Sequence, residues 1–272
     1  MALGDLVTAP YMIEYNGVAL GPGTSYELLG IDNLLDINIR SQTTDRLGYH
    51  GSIAGRHLAQ VKNLIIEGTI LGTSDSDFGT KRKALYLAFR PIQDPLSALG
   101  LVTALPDTTL TKMQALARCT KIFMNVDRNF ALKYPKFHID MEMIDPIWYG
   151  LTTRTQAYTI PSSTNTINNA GNAPAKWIAT LHGPSTNPVI TNTTTGQVLS
   201  MSGTTITASD TLVFDSYGST VKKNGAYIAP NFAAGFSWWD LEPGNQSISI
   251  SQSGTTGATT FSITWNDAYW GF

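Results

Sequence analysis

Side chains able to do chemistry are few in this chain and far apart. Its 272 residues include four histidines and one cysteine, and the first question is whether any spacing turns them toward a common atom. His50 and His57 lie seven apart in a glycine-rich run, Asp45-Arg46-Leu47-Gly48-Tyr49-His50-Gly51 followed by Gly55-Arg56-His57. Two imidazoles on one helical face need i, i+4 spacing, so this pair is not assigned a metal. His138 sits between Lys136 and Asp140 on the polar side of an alternating segment, where the plain reading is a solvated or interfacial histidine. Cys119 has no second cysteine for a disulfide or a thiolate zinc cluster. Its strand setting lacks the helix N-terminus or cation that lowers a thiol pKa, and it reads as a small core residue. Gly79-Thr80-Lys81 has the wrong order for a phosphate loop. Asp75 and Asp77 supply too few oxygens for the roughly six to eight that calcium takes. Asp140 and Glu142 share a strand face about 7 Å apart, a spacing ordinary for solvated strand carboxylates. No Gly-x-Ser-x-Gly elbow is present. The chain is therefore assigned no catalytic residue, metal or cofactor.

Aromatic rings offer a different chemistry. Trp238-Trp239 and the closing Trp265, Tyr269, Trp270 and Phe272 crowd one end of the chain. Neighbouring strand residues point to opposite faces, so one of Trp238 and Trp239 is expected in the core and one outward. An outward tryptophan could stack on a sugar, cover an interdomain contact or touch another subunit.

The elements that would hold these groups are mostly strands. From Asn187 to Trp265, turn signals cut short β-forming runs: Val198-Leu199, Thr205-Ile206-Thr207, Leu212-Val213-Phe214, Ile248-Ser249-Ile250 and Phe261 to Trp265. Turns every eight to twelve residues around such runs are the pattern of an antiparallel sandwich. Asn224-Gly225 is its firmest signal, because a two-residue I′ turn needs positive φ at both positions. Ahead of it, Leu35, Ile37 and Ile39 alternate with Asp36, Asn38 and Arg40 as a half-buried strand would. A strand from Val61 to Leu71, a helix from Phe78 to Phe89 stopped by Pro91, and a strand from Arg118 to Val126 follow. Pro91 to Thr111 reads as a long connection with a weak strand around Leu99 to Leu105, and Tyr158 to Ile160 as a strand crossing into the second half. The cleanest alternation sets Phe137, Ile139, Met141 and Met143 against Lys136, His138, Asp140 and Glu142. The expected fold is mainly β: an N-terminal α+β domain, a small antiparallel sheet with one helix, over residues 1–150, and a β-sandwich over 151–272. Between them lies a Thr-, Ser- and Asn-rich stretch, read as a boundary.

Charged residues make up 14% of the chain and sum to -2, which gives no electrostatic case for binding nucleic acid or an anionic membrane. The N-terminal residues show no secretory pattern, and no window reaches the roughly 18 apolar residues of a membrane helix. A protein made soluble in a cytoplasm is the expectation.

Taken in order, these elements resemble the distal tail protein family of long-tailed bacteriophages. The likeness rests on the strand, glycine-rich arginine segment, strand and helix of the first half and its run into Asp145-Pro146-Ile147-Trp148. In the second half it rests on Asn169 to Pro174, Asn187-Pro188-Val189-Ile190, Val221 to Gly225, Leu241 to Asn245 and Trp265 to Trp270. The resemblance implies an N-terminal domain that builds a hexameric ring and a galectin-like sandwich outside it. It implies a virion protein at the tail tip, assembled in the host cytoplasm. Its partners would be its own copies, the tail tube protein and the tail-tip or baseplate proteins, with DNA only in transit through the channel. Arg40, Arg46, His50, Arg56 and His138 would then serve a subunit interface or a wet lumen. The second reading is a carbohydrate-binding sandwich that uses Trp238 or Trp239 for host adhesion. No segment between sandwich strands is long enough for the inserted carbohydrate module some members carry.

Overall fold

The computed structural model describes residues 2–91, 99–105, 111–159, 162–229, 231–253 and 260–271. They divide into two compact units, Met1–Leu151 with Trp270–Phe272, and Thr152–Tyr269. Nearly all regular structure is antiparallel strand, as the alternations predict.

The first unit contains β1 (Ile13–Tyr15), β2 (Val18–Leu20), β3 (Tyr26–Asp32), β4 (Ile39–Asp45), β5 (Ser52–Ala59), β6 (Lys62–Ile70), α1 (Asp75–Ala88), β7 (Leu99–Leu105), β8 (Thr111–Met124), α2 (Arg128–Ala131) and β9 (Lys136–Met143). β10 (Trp148–Tyr158) starts in this unit and ends in the next. One sheet runs β2-β1-β7-β8-β9-β6-β3. Its register sets Ile66 beside Ile139 and Gly68 beside Phe137, so the apolar alternates of β6 and β9 share one buried face. A Cβ on Gly68 would meet the Phe137 ring at 2.3 Å, and only glycine leaves that ring its place. α1 buries Phe78, Leu85 and Ala88, with Phe89 at its cap stacked 4.8 Å from Tyr15. Each large side chain so buried is worth about 1.5–3 kcal/mol.

α1 begins earlier than its apolar stripe suggests because its cap is polar. Ser74 accepts from the Asp77 N–H at 3.1 Å, while the Asp77 carboxylate accepts from Thr73 N at 2.8 Å and from Lys81 Nζ at 2.8 Å. Asp75 and Asp77 also face the positive end of the helix dipole.

Several expectations for this unit are corrected. Leu35 and Ile37 lie between β3 and β4, outside any strand, Ile39 opens β4, and all three are exposed: among the described residues no second layer covers their alternation. The glycine-rich run beyond them forms the turn, at residues 46–51, and part of the second strand of a two-stranded hairpin, β4–β5, which pairs with no other described strand. β8 runs from Thr111 to Met124, not Arg118 to Val126, and its register slips between Cys119 and Lys121, so Thr120 drops out of the pairing that sets Ile122 and Met124 beside Ile139 and Phe137. α2, four residues capped by Asp127, gave no periodic signal.

The second unit adds β11 (Ser162–Asn169), β12 (Trp177–His182), β13 (Ser185–Asn192), β14 (Gln197–Ser200), β15 (Thr205–Ile206), β16 (Thr211–Asp215), β17 (Thr220–Lys223), β18 (Ala226–Ile228), β19 (Gly244–Ser253) and β20 (Thr260–Tyr269). β18-β17-β16-β12-β20 form one sheet and β11-β19-β13-β14 the other, with β15 on β13. Trp177, Ala179, Leu181, Phe214 and Ile263 from the first sheet, and Ile190, Leu199, Ile248 and Ile250 from the second, are buried: a β-sandwich. Asn224 and Gly225 join β17 to β18 with φ of 51° and 82°, as an I′ turn requires.

The stretch read as a boundary contains β11, fully paired with β19 from Ser162 to Asn169. The Tyr158–Ile160 strand is the end of β10 at Tyr158, with Ile160 outside the described residues. At the end of β11 the buried Asn169 amide donates to the carbonyls of Ala173 (2.7 Å) and Leu241 (2.9 Å), and its oxygen accepts from Gly171 N (3.1 Å) and Ala268 N (3.2 Å). A Cβ on Gly171 would stand 1.7 Å from the Ala268 carbonyl oxygen, so that approach requires glycine.

Two outcomes follow. Asn169→Ala strands three backbone groups, the Ala173 carbonyl and the Gly171 and Ala268 amides, at roughly 1–3 kcal/mol each where they stay dry, while the Leu241 carbonyl keeps Ala175 N; urea denaturation is expected to show a loss of at least about 3 kcal/mol. Acid acts on the α1 cap: hydrogen bonds from Lys81 and Thr73 hold the Asp77 carboxyl down to about 2. A folded value below the unfolded one means this stabilisation is complete above about pH 4 and is lost as pH falls through about 2. In circular-dichroism melts, Asp77→Asn should lower the melting temperature at neutral pH and show a shallower decline across that window.

Candidate functional site

The hairpin is the most exposed regular structure in the first unit, and its base is fixed while its tip is bare. Lys62, 2% exposed at the start of β6, donates from Nζ to the Leu34 carbonyl at 2.7 Å and lies 5.7 Å from the Trp148 ring centre. Burial lowers its pKa, and the Asp36 charge opposes that shift. Asn33 Nδ2 donates to the Asn63 carbonyl at 3.0 Å, and Gln60 N to the Asn38 carbonyl at 2.8 Å. From this anchor each strand projects about 20 Å. Arg40, Arg46, His50 and Arg56 all lie exposed along it, among exposed Ile39, Ile53 and Leu58. At the tip Leu47 is 99% exposed and Tyr49 81%. Lys62 was not singled out in the sequence; a lysine in phase with Leu64 and Ile66 was the available signal.

His138 is held elsewhere, on the outer face of the sheet. Its Nδ1 lies 3.1 Å from Glu67, its Nε2 2.7 Å from Asp140, and its ring stacks 4.8 Å from Phe123. Arg118 pairs with Glu142 farther along the same face. The two imidazole nitrogens are thus each taken by a different carboxylate, and they fix the ring between strands β6, β8 and β9. Cys119 corrects its expectation: it is half-buried, not a core residue, opposite the buried Met141 at the point where the register slips, with Sγ 3.4 Å from the Lys121 carbonyl. Burial pushes its thiol pKa up, away from a reactive thiolate. Among the described residues no group of three or more His, Cys, Asp or Glu could hold a metal ion.

In the sandwich, Trp238 and Trp239 lie outside any strand, so strand alternation is not what separates them. Trp239 is 4% exposed, 4.6 Å from the Trp177 ring, and its carbonyl accepts from the Trp177 indole N–H at 2.9 Å. It is closed to any sugar, which corrects its candidacy as a contact residue. Trp238 is partly exposed, edge-on to Phe232, which stacks on the exposed Phe236. By urea denaturation, Trp239→Ala is expected to cost about 3–5 kcal/mol and Trp238→Ala clearly less. Trp239→Phe should recover most of the loss, because the indole N–H it removes has no partner among the described residues.

Residues 170–269 match a family model described as the siphovirus-type tail component, C-terminal domain. No curated protein sequence matches the chain. Among solved structures, the Dit protein of phage SPP1, described as a paradigm of the hub adsorption apparatus in phages infecting Gram-positive bacteria, is similar with a TM-score of 0.67 at 14% identity. That match covers 94% of this chain and 98% of SPP1 Dit. A chain of the phage P2 baseplate in its activated, calcium-containing conformation is similar with a TM-score of 0.50 at 10% identity, over 93% of this chain and 96% of that one. Residues 170–269 are thus similar to a siphovirus-type tail component C-terminal domain, and the chain has the fold of SPP1 Dit over 94% of its length.

Proposed function

We propose that this chain is a structural hub component of a phage tail: six copies close into a ring that joins the tail tube to the tail-tip or baseplate proteins and leaves a channel for DNA. The observation that carries the reading is the likeness to SPP1 Dit over 94% of this chain, together with the tail-component domain at 170–269. The exposed hairpin supports it. A two-stranded ribbon standing alone is marginal in water, and exposed apolar side chains gathered on one element mark an interaction surface. The residues 1–150 serve as the ring-forming domain and 151–272 as the outward, galectin-like sandwich. Six is the number the family resemblance implies. The protein assembles in the host cytoplasm and ends in the virion, and its work is geometric, with no reaction of its own.

The carbohydrate reading is left with Trp238 alone, because Trp239 is closed off. Light scattering on the purified chain is expected to give six times the mass of one copy, and electron micrographs to show rings with an open centre. A chain that stays monomeric at high concentration, alone and mixed with tail-tube and tail-tip proteins, would overturn the reading.

A further inference from the structure

An open cavity of about 360 Å³ lies beside α1, lined by Arg82, Lys83 and Tyr86 of the helix and by Met124, Val126 and Phe130. It is apolar at its base. Val126 is 83% exposed, and no described residue covers it. Arg82 stands over the Phe78 and Phe130 rings at 5.9 and 5.8 Å, and among the described residues neither Arg82 nor Lys83 has a carboxylate partner. The same unit carries the matching shape: Leu47 and Tyr49 at the hairpin tip, more exposed than almost any other apolar side chains, and Asp45, the only carboxylate between Ile39 and Ala59.

We propose that the hairpin tip of one copy seats Leu47 and Tyr49 in the Tyr86–Val126–Phe130 groove of the next copy, with Asp45 at its Arg82–Lys83 rim. Apolar side chains meet apolar walls, and the one carboxylate of the arm meets the unpaired cations. The cavity has room for a large side chain or two. Knob and groove are different surfaces of one chain, so the contact is heterologous and head-to-tail, the kind that closes into a ring when the rotation permits. The contact rests on the ring reading and specifies which surfaces make the ring.

The test uses the full chain with Cys119→Ser as background. A Leu47→Cys, Val126→Cys double variant is oxidised and run without reductant, since a disulfide forms only where the two Cα atoms come within about 7 Å. The expected result is a ladder of covalent species up to the ring number, while either single-cysteine chain gives no more than linked pairs. Both positions are exposed, so folding is not at stake. Leu47→Asp combined with Tyr49→Ser should raise the concentration needed for assembly at least tenfold with an unchanged circular-dichroism spectrum. Rings in micrographs without a ladder, or with assembly untouched by the tip variant, would overturn this contact and leave the ring reading standing. A chain that never assembles would remove the ring reading, and this contact with it.

Discussion

The sandwich is closed by one carboxamide. Asn169 has two donors and two acceptor positions, and each meets a backbone group: Ala173 and Leu241 carbonyls, Gly171 and Ala268 amides. These groups come from three places in the sequence, so the side chain ties the end of β11 to the turn after it, the segment before β19 and the end of β20 in one knot. Aspartate would lose both donors and bring a charge into a dry site, and alanine would lose all four bonds. Next to it, Asp267 accepts from Ala170 N and pairs with Arg154, carrying the tie into the end of β10. Apolar burial gives the sandwich most of its free energy, but burial is non-directional; register at this corner comes from hydrogen bonds that no other side chain can make. A second buried amide pair, Asn192 to Gln246 at 2.7 Å, does similar work between β13 and β19.

The first unit solves the opposite problem. Its sheet buries one face under α1 and leaves the other polar, and it extends a hairpin that no other described strand pairs with. A ribbon of that kind needs a rigid root to present a defined surface, and the buried Lys62 supplies it: an ammonium inside the protein persists because the Leu34 carbonyl and the Trp148 ring receive it. Burial lowers the lysine pKa while the Asp36 charge opposes that shift, so a carboxylate in the segment leading to β4 favours the charged form that holds the segment.

Where the sequence was legible, the period reported a face that has a partner. Phe137 to Met143 and Ile248 with Ile250 read correctly because each has an opposing layer. Asn224-Gly225 read correctly because its turn chemistry is local. Leu35, Ile37 and Ile39 show the same period and are exposed: alternation encodes amphipathicity, and whether a second layer exists is a property of the whole fold or of another molecule. The Thr- and Asn-rich run at β11 failed in the other direction. Its strand is held by backbone pairing and one amide knot, neither of which leaves an apolar pattern. Trp238 and Trp239 could not be told apart because they lie in irregular chain, where no period applies.

This asymmetry bears on what the protein is built for. In a monomer, a strand-like apolar period with no cover is a defect, since it invites unselective association. Here the period leads into an arm with a fixed root and a polar, arginine-bearing flank, while charged and polar groups on the outer face of the sheet pair with one another, as in Arg118 with Glu142 and His138 with Glu67 and Asp140. Polar groups satisfied at home give little directional pull on a neighbour. In the proposed ring, an apolar tip and a few cations along an otherwise uncovered ribbon would place the selectivity of assembly on one element of the fold, and a short change of sequence there would alter how copies meet without disturbing either core.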